Sequence, residues 1–313
     1  MTRLAWLALL LIACATPAQE RGFDLQGHRG ARGLAPENTL AAFERGLEEG
    51  VSTLELDIGV TRDGVVVIHH DERLNPAITR DATGDWIAVP GPRLLDLSLA
   101  ELKTYNVGTL KPGTAYAAQF PQQGSRQHEA VPRLAELFDL VRRRSDTHVR
   151  FNIETKLTPD HPQDTVAPQA MVAALLAVVA QYSMEKRVSI QSFDWRTLKL
   201  VQTLRPEIPT VCLSARLQNF NTVAPAWNAG LSLTSTLAQL AKSAGCTAWS
   251  PNFQDVDAAA VADAHARGLQ VIPWTVNRSE DIEHMVALGV DGLISDRPDI
   301  ARALLAARNI RLR

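Results

Sequence analysis

Residues 23–61, "FDLQGHRGARGLAPENTLAAFERGLEEGVSTLELDIGVT", decide the fold. An apolar β-type run ends on His28-Arg29, and glycines and a proline follow. Residues 39–49 then carry the apolar spacing of an amphipathic helix, and 53–61 form a second β-type run. Strand, helix and strand in quick succession make a right-handed crossover unit, which lays its two strands parallel. Pro36-Glu37-Asn38-Thr39 starts the helix, with Asn38 or Thr39 as N-cap.

Outward from that unit the alternation repeats. Strand-like runs at 149–156, 187–193, 209–215, 247–253, 269–276 and 292–296 are separated by further helical stretches. Amphipathic segments stand at 133–143, 167–181, 195–204, 257–267, 280–287 and 301–307. With the opening unit this makes eight parallel strands, the count for a (β/α)8 TIM barrel, an α/β fold. Two stretches depart from the pattern. "VVVIHH" (65–70) follows the second strand after only Arg62-Asp63-Gly64. So short a turn makes an antiparallel hairpin, because parallel strands need a longer crossover. Residues 72–131 show little alternation beyond a short helix near Ser98, and are expected as an insertion at the C-terminal rim. Loops that long are usually functional, and barrel active sites lie on that rim. Less the insertion and a leader, the chain is roughly 240 residues, near the ~250 of one such barrel. One domain, 23–310, therefore accounts for the length.

The 313 residues are 46% hydrophobic and 21% charged, with a formal net charge of −2. That is globular composition without the basic field that nucleic acid or a membrane surface demands. Arg3, the apolar run 4–15 and Thr16-Pro17-Ala18 read as a signal peptide over 1–18. The run is shorter than the ~20 residues of a transmembrane span. "LIAC" resembles a bacterial lipoprotein signal, so the mature chain is expected to begin at a lipidated Cys14 or near residue 19. Either outcome exports it, to the periplasm or to a lipid anchor in the outer membrane. Cys212 and Cys246 are expected as two buried free thiols, and no cysteine spacing fits zinc.

The chemistry is carried by the strand ends. Glu55 and Asp57 are two apart, so they share the inward face while Leu54, Leu56 and Ile58 pack outward. Paired buried carboxylates need a cation, protons or basic partners. Oxygen ligands suit a hard ion, Ca²⁺ or Mg²⁺. Asn152, Glu154 and Lys156 alternate in the same way, adding a third carboxylate and a positive charge that suits an anion such as phosphate. His28 ends the first strand and His70 the hairpin, a pair able to give and take protons near neutral pH. Asp71 is placed to orient His70, whereas His69 faces away. Arg29 offers a planar fork for phosphate, and Glu37 either positions the site or caps the helix.

"GHRGARGLAPENT", "LELDIGVTRDG", "VVVIHHD", "NIETK", "QSFDW", "WTVN" and "GVDGLISDRP" stand in order across 25–298. In this the chain resembles the glycerophosphodiester phosphodiesterase family. The resemblance implies a (β/α)8 barrel that hydrolyses small-molecule glycerophosphodiesters to glycerol 3-phosphate and an alcohol with a divalent cation. It implies His28 and His70 as the catalytic pair, Glu55, Asp57 and Glu154 as metal ligands, and Arg29 and Lys156 as phosphate contacts. It also implies Trp274 closing the substrate pocket, with Gln191 and Phe193 on the same rim. A lysophospholipase D or a phosphatidylinositol-type phospholipase on this barrel is the alternative. The mostly polar insertion favours a soluble substrate.

Overall fold

The computed structural model describes residues 22–313; the leader and Cys14 lie outside the described residues. The chain opens with β1 (Asp24–Gly27), α1 (Leu40–Glu48), β2 (Thr53–Val60) and β3 (Val66–Ile68). The inserted segment holds two single-turn helices, α2 (Leu99–Leu102) and α3 (Ala115–Ala118), and leads into α4 (Leu134–Arg143). Then come β4 (Arg150–Thr155), α5 (Pro168–Gln181), β5 (Val188–Ser192), α6 (Trp195–Leu204) and β6 (Thr210–Ser214). A small hairpin, β7 (Arg216–Leu217) and β8 (Phe220–Asn221), precedes α7 (Leu237–Ser243). The chain closes with β9 (Ala248–Pro251), α8 (Ala258–Ala266), β10 (Gln270–Val271), α9 (Ser279–Ala287), β11 (Gly292–Ser295) and α10 (Pro298–Ala307).

Eight strands run parallel in the order β10-β9-β6-β5-β4-β2-β1-β11. Backbone bonds bring the two ends of that wall together: Asp291 N to Val271 O, Ile294 N to Pro273 O and Val276 N to Ile294 O, each 2.9 Å. The barrel is the one the alternation predicts. β3 pairs antiparallel with β2, Ile58 opposite Ile68, as the short turn requires. Leu54, Leu56 and Ile58 are fully buried in the apolar layer between wall and helices. Period-two geometry then sends Glu55 and Asp57 into the barrel. Thr39 is the N-cap of α1, its hydroxyl accepting from Ala42 N at 3.2 Å.

Several expectations need amendment. Cys212 and Cys246 are not free thiols; they form a disulfide with Cα atoms 5.9 Å apart. Cys212 sits in β6, and Cys246 lies just before β9, its parallel neighbour, so the two side chains meet under α7. α7 itself was not expected, being under two turns long. α10 begins at Pro298 rather than 301, because proline's fixed φ suits the first helical turn. The insertion is less polar inside than its sequence implies. Leu74, Leu94, Leu102, Val107 and Val131 form a separate apolar cluster there, packed with Val67 of β3.

Candidate active site

The carboxylates meet where β2, short of its hairpin end, runs beside the C-terminal half of β4. Register places Glu55 beside Asn152 and Asp57 beside Glu154. Glu55, Asp57 and Glu154 are all buried, and an oxygen from each lies within 4.8 Å of the others. Their surroundings supply few donors. Glu55 accepts from Gln191 Nε2 at 2.7 Å and from Arg29 N at 2.9 Å. Asn38 Nδ2 donates to Asp57 at 2.9 Å, and Lys156 Nζ to Glu154 at 2.8 Å. Asp57 Oδ1 is buried without any hydrogen bond. Burial, and then the charge of Asp57, hold the Glu55 carboxyl well above its usual range. Burial lifts Glu154 to about 7 despite Lys156. Asp57 is also raised by burial, but His70, Arg29 and Lys156 outweigh this and hold it low. Three crowded oxygen donors, one of them orphaned, fit a hard divalent cation.

Two histidines face this group, each backed by a carboxylate. His28 donates from Nδ1 to Asp296 Oδ1 at 2.6 Å, and its Nε2 lies 3.9 Å from Glu55. His70 donates from Nδ1 to Asp71 at 2.6 Å. Its Nε2 lies 3.1 Å from Lys156 Nζ; an ammonium only donates, so that nitrogen carries the lone pair. Burial lowers both imidazoles, helped by Arg32 at His28 and by Arg29 and Lys156 at His70. Burial would raise Asp296, yet Arg32 and His28 keep it well below the usual carboxylate range. Arg32 grips it through Nε at 2.8 Å and Nη2 at 3.1 Å, and Asn277 donates at 2.8 Å.

The loop after β1 presents His28 and Arg29 because it turns so tightly. A Cβ on Gly27 would fall 2.0 Å from the Gly30 carbonyl oxygen. One on Gly30, at φ +87°, would fall 2.5 Å from the Ala42 carbonyl carbon. Only glycine permits both approaches. Arg29 is buried, with Nη1 donating to Glu37 at 2.7 Å and Nε 3.4 Å from Asp57.

Above the carboxylates lies a chamber of about 170 Å³, walled by His28, Arg29, Arg32, Glu55, His70 and Glu154 among others. It adjoins a vestibule of about 510 Å³, and His70, Glu154, Phe193 and Trp274 line both. One side of the vestibule is aromatic, and charged residues such as Asp71, Glu72 and Asp160 line the rest. Phe193 stands edge-on to Trp274 at 5.3 Å and to Phe220 at 4.9 Å, with Trp227 behind Phe220 at 6.0 Å.

Nine of the ten residues expected at the site line one or both of these spaces, and Asp57 lies buried against Glu55 and Glu154. Gln191 is placed below the carboxylates, where its amide holds Glu55 and Asn152. Asn38 does not cap α1; with φ at 55° it turns its amide to Asp57. Glu37 serves Arg29 rather than the helix. Asp296, Arg32 and Tyr116 were missed. Asp296 stood in plain view in "GLISDRP", but nothing local ties it to a histidine 268 residues away.

The sequence profile described as the Glycerophosphoryl diester phosphodiesterase family matches residues 28–300. A glycerophosphodiester phosphodiesterase of Caldanaerobacter subterraneus subsp. tengcongensis is 29% identical over 272 residues, 87% of this chain and 93% of that protein. A crystal structure from Silicibacter pomeroyi DSS-3, described as a candidate glycerophosphoryl diester phosphodiesterase, is 38% identical with a TM-score of 0.85. It covers 94% of this chain and 96% of that one. An Oleispira antarctica phosphodiesterase, solved with the product sn-glycerol-3-phosphate, shares the fold. Its TM-score is 0.65 at 24% identity, over 91% of this chain and 97% of that one.

Proposed function

The chain belongs to the glycerophosphoryl diester phosphodiesterase family, and from that premise we propose that it hydrolyses glycerophosphodiesters to glycerol 3-phosphate and an alcohol. One observation carries this reading: two imidazoles, each fixed through Nδ1 by a carboxylate, face a chamber walled by Arg29, Glu55 and Glu154, with Lys156 on the adjoining vestibule and Asp57 packed against the other two acids. One imidazole deprotonates the nucleophile and the other protonates the leaving oxygen. Arg29 and Lys156 hold the phosphoryl oxygens, and Glu55, Asp57 and Glu154 would hold a divalent cation. When bound, a divalent cation supplies Lewis-acid neutralisation of the charge that grows on phosphorus-bound oxygen.

Among the described residues Cys212 and Cys246 are joined to each other, the chamber lining holds no serine, and its one threonine, Thr275, has no hydrogen bond to an imidazole that would activate it. The nucleophile is then water or the substrate's vicinal glycerol hydroxyl. The hydroxyl is favoured because well-oriented intramolecular attack is worth up to ~7–11 kcal/mol. It gives a cyclic glycerol phosphate that water opens. The polar chamber suits the glycerol phosphate and the vestibule suits the departing alcohol.

Release of glycerol 3-phosphate from a panel of glycerophosphodiesters tests the reading. A substrate lacking only the vicinal hydroxyl should turn over poorly; cleavage as fast as the parent would mean direct attack by water. The aromatic side of the vestibule supports a second reading, an acyl-bearing substrate such as a lysophospholipid. Turnover confined to that arm of the panel would establish it. We also propose export, supported by the leader sequence and by a disulfide, which persists in oxidising compartments. N-terminal mass spectrometry should find the chain starting at lipidated Cys14 or near Gln19; a chain retaining Met1 refutes both.

A further inference from the structure

The inserted segment meets the loop leaving β1 through α3 and the residues after it. Tyr116 donates its hydroxyl to Glu37, whose other oxygen accepts Arg29 Nη1 at 2.7 Å. The same phenol oxygen lies 3.5 Å from Arg29 Nη1 and 3.4 Å from Arg32 Nη1. The Arg32 guanidinium rests 4.5 Å over the Phe120 ring, which meets Tyr116 edge-on at 5.3 Å. Gln123 Nε2 and Gly124 N then bond the carbonyls of Arg32 and Leu34, at 2.8 and 2.9 Å.

Two guanidiniums so close repel, and the repulsion is strong away from water. Glu37 and Asp296 each hold one of them, and a single phenol oxygen bridges the pair. Arg32 spends Nε and Nη2 on Asp296 and Arg29 spends Nη1 on Glu37, so each guanidinium offers a phosphoryl oxygen its remaining N–H groups only while its plane is held in place. Stacking on Phe120 stops Arg32 from rotating, and Glu37, itself braced by Tyr116, does the same for Arg29. Arg29 Nε remains buried without a hydrogen bond, and both side chains line the chamber. We propose that Tyr116 and Phe120 are positioning residues that set Arg29 and Arg32 as a paired clamp for the phosphodiester, making the insertion part of substrate recognition. This rests on the phosphodiesterase reading above.

Tyr116→Phe keeps the ring and removes only the hydroxyl. KM for a glycerophosphodiester should rise about tenfold, the worth of one such bond, with kcat nearly unchanged and Tm unmoved. Arg32→Lys keeps the charge but loses the fork. Combined with Tyr116→Phe it should cost no more than the larger single change, because both act on one contact. Phe120→Leu should raise KM in the same way. An unchanged KM in Tyr116→Phe, or strictly additive effects in the pair, overturns the proposal and leaves Tyr116 an anchor for the insertion. Should the wild-type protein release no glycerol 3-phosphate, the phosphodiesterase reading fails by itself. The clamp is then read by calorimetry with inorganic phosphate: Kd weakened about tenfold by Tyr116→Phe upholds it, and an unchanged Kd overturns it.

Discussion

Asp296 orients His28, neutralises Arg32 and accepts from Asn277, all within the barrel mouth. Asp296→Asn keeps the shape but cannot fix the imidazole or balance the guanidinium. It should lower kcat about 10²-fold. It should also destabilise the protein by about 3 kcal/mol at pH 7, because a buried cation is left unpaired. The pH dependence has a definite sign. Asp296 is held below its ordinary 3.8, so its contribution is complete above that value and is lost as pH falls through the folded one. The stability gap between wild type and Asp296→Asn should therefore shrink below about pH 4, as acid-unfolding curves would reveal. His28→Ala and His70→Ala should each cut kcat about 10²–10⁴-fold with little change in KM. A loss confined to KM would remove either residue from the chemistry. At this scale strand periodicity made the acids and Lys156 legible, because period two fixes a face. The partners Asp296, Arg32 and Tyr116 were illegible, because long-range contacts between loops leave no local pattern.

Among the elements, the disulfide ties β6 to the start of β9 across a separation of 34 residues. A loop of that length closed in the unfolded chain is worth about 4 kcal/mol. Cys212→Ser with Cys246→Ser, or reduction of the native protein, should lower stability by that amount in denaturant titrations, while activity at 25 °C persists. A thiol assay under denaturing conditions should find neither cysteine free without reductant. The eight strands were readable because β-branched runs alternate with amphipathic ones, and β3 because a short turn excludes a parallel return. The pairing of Cys212 with Cys246 was not readable. Both lie in apolar runs, and sequence does not say where two such side chains meet. α3 and α7 escaped notice because helices of one or two turns show no full period. α3 nevertheless delivers Tyr116 to the site.

The whole molecule carries three crowded acids at its centre, two of them with raised carboxyl affinity for protons. A folded state with that feature gains stability from any cation it binds and the unfolded chain does not. Chelation should therefore lower Tm and abolish turnover, and Ca²⁺ or Mg²⁺ should restore both in a concentration-dependent way. Glu55→Gln and Asp57→Asn should each remove the metal-dependent rise in Tm; in the metal-free protein Glu55→Gln should stabilise, because a repelling charge is gone, whereas Asp57→Asn should destabilise, because Arg29 and Lys156 lose a counter-charge. Full activity in protein shown by elemental analysis to be metal-free would refute the cation's role.

The cavity has two parts of unequal depth. The inner chamber is walled by buried His28, Glu55 and Gln191, whereas the vestibule reaches the exposed Asp160, His161 and Phe220. On the proposed reaction this depth sets a timetable. The alcohol, lying outside, departs first, and glycerol 3-phosphate, still held by Arg29 and Lys156, departs last. Product inhibition should record that order. Glycerol 3-phosphate should compete with the diester for free enzyme, and the alcohol should inhibit noncompetitively.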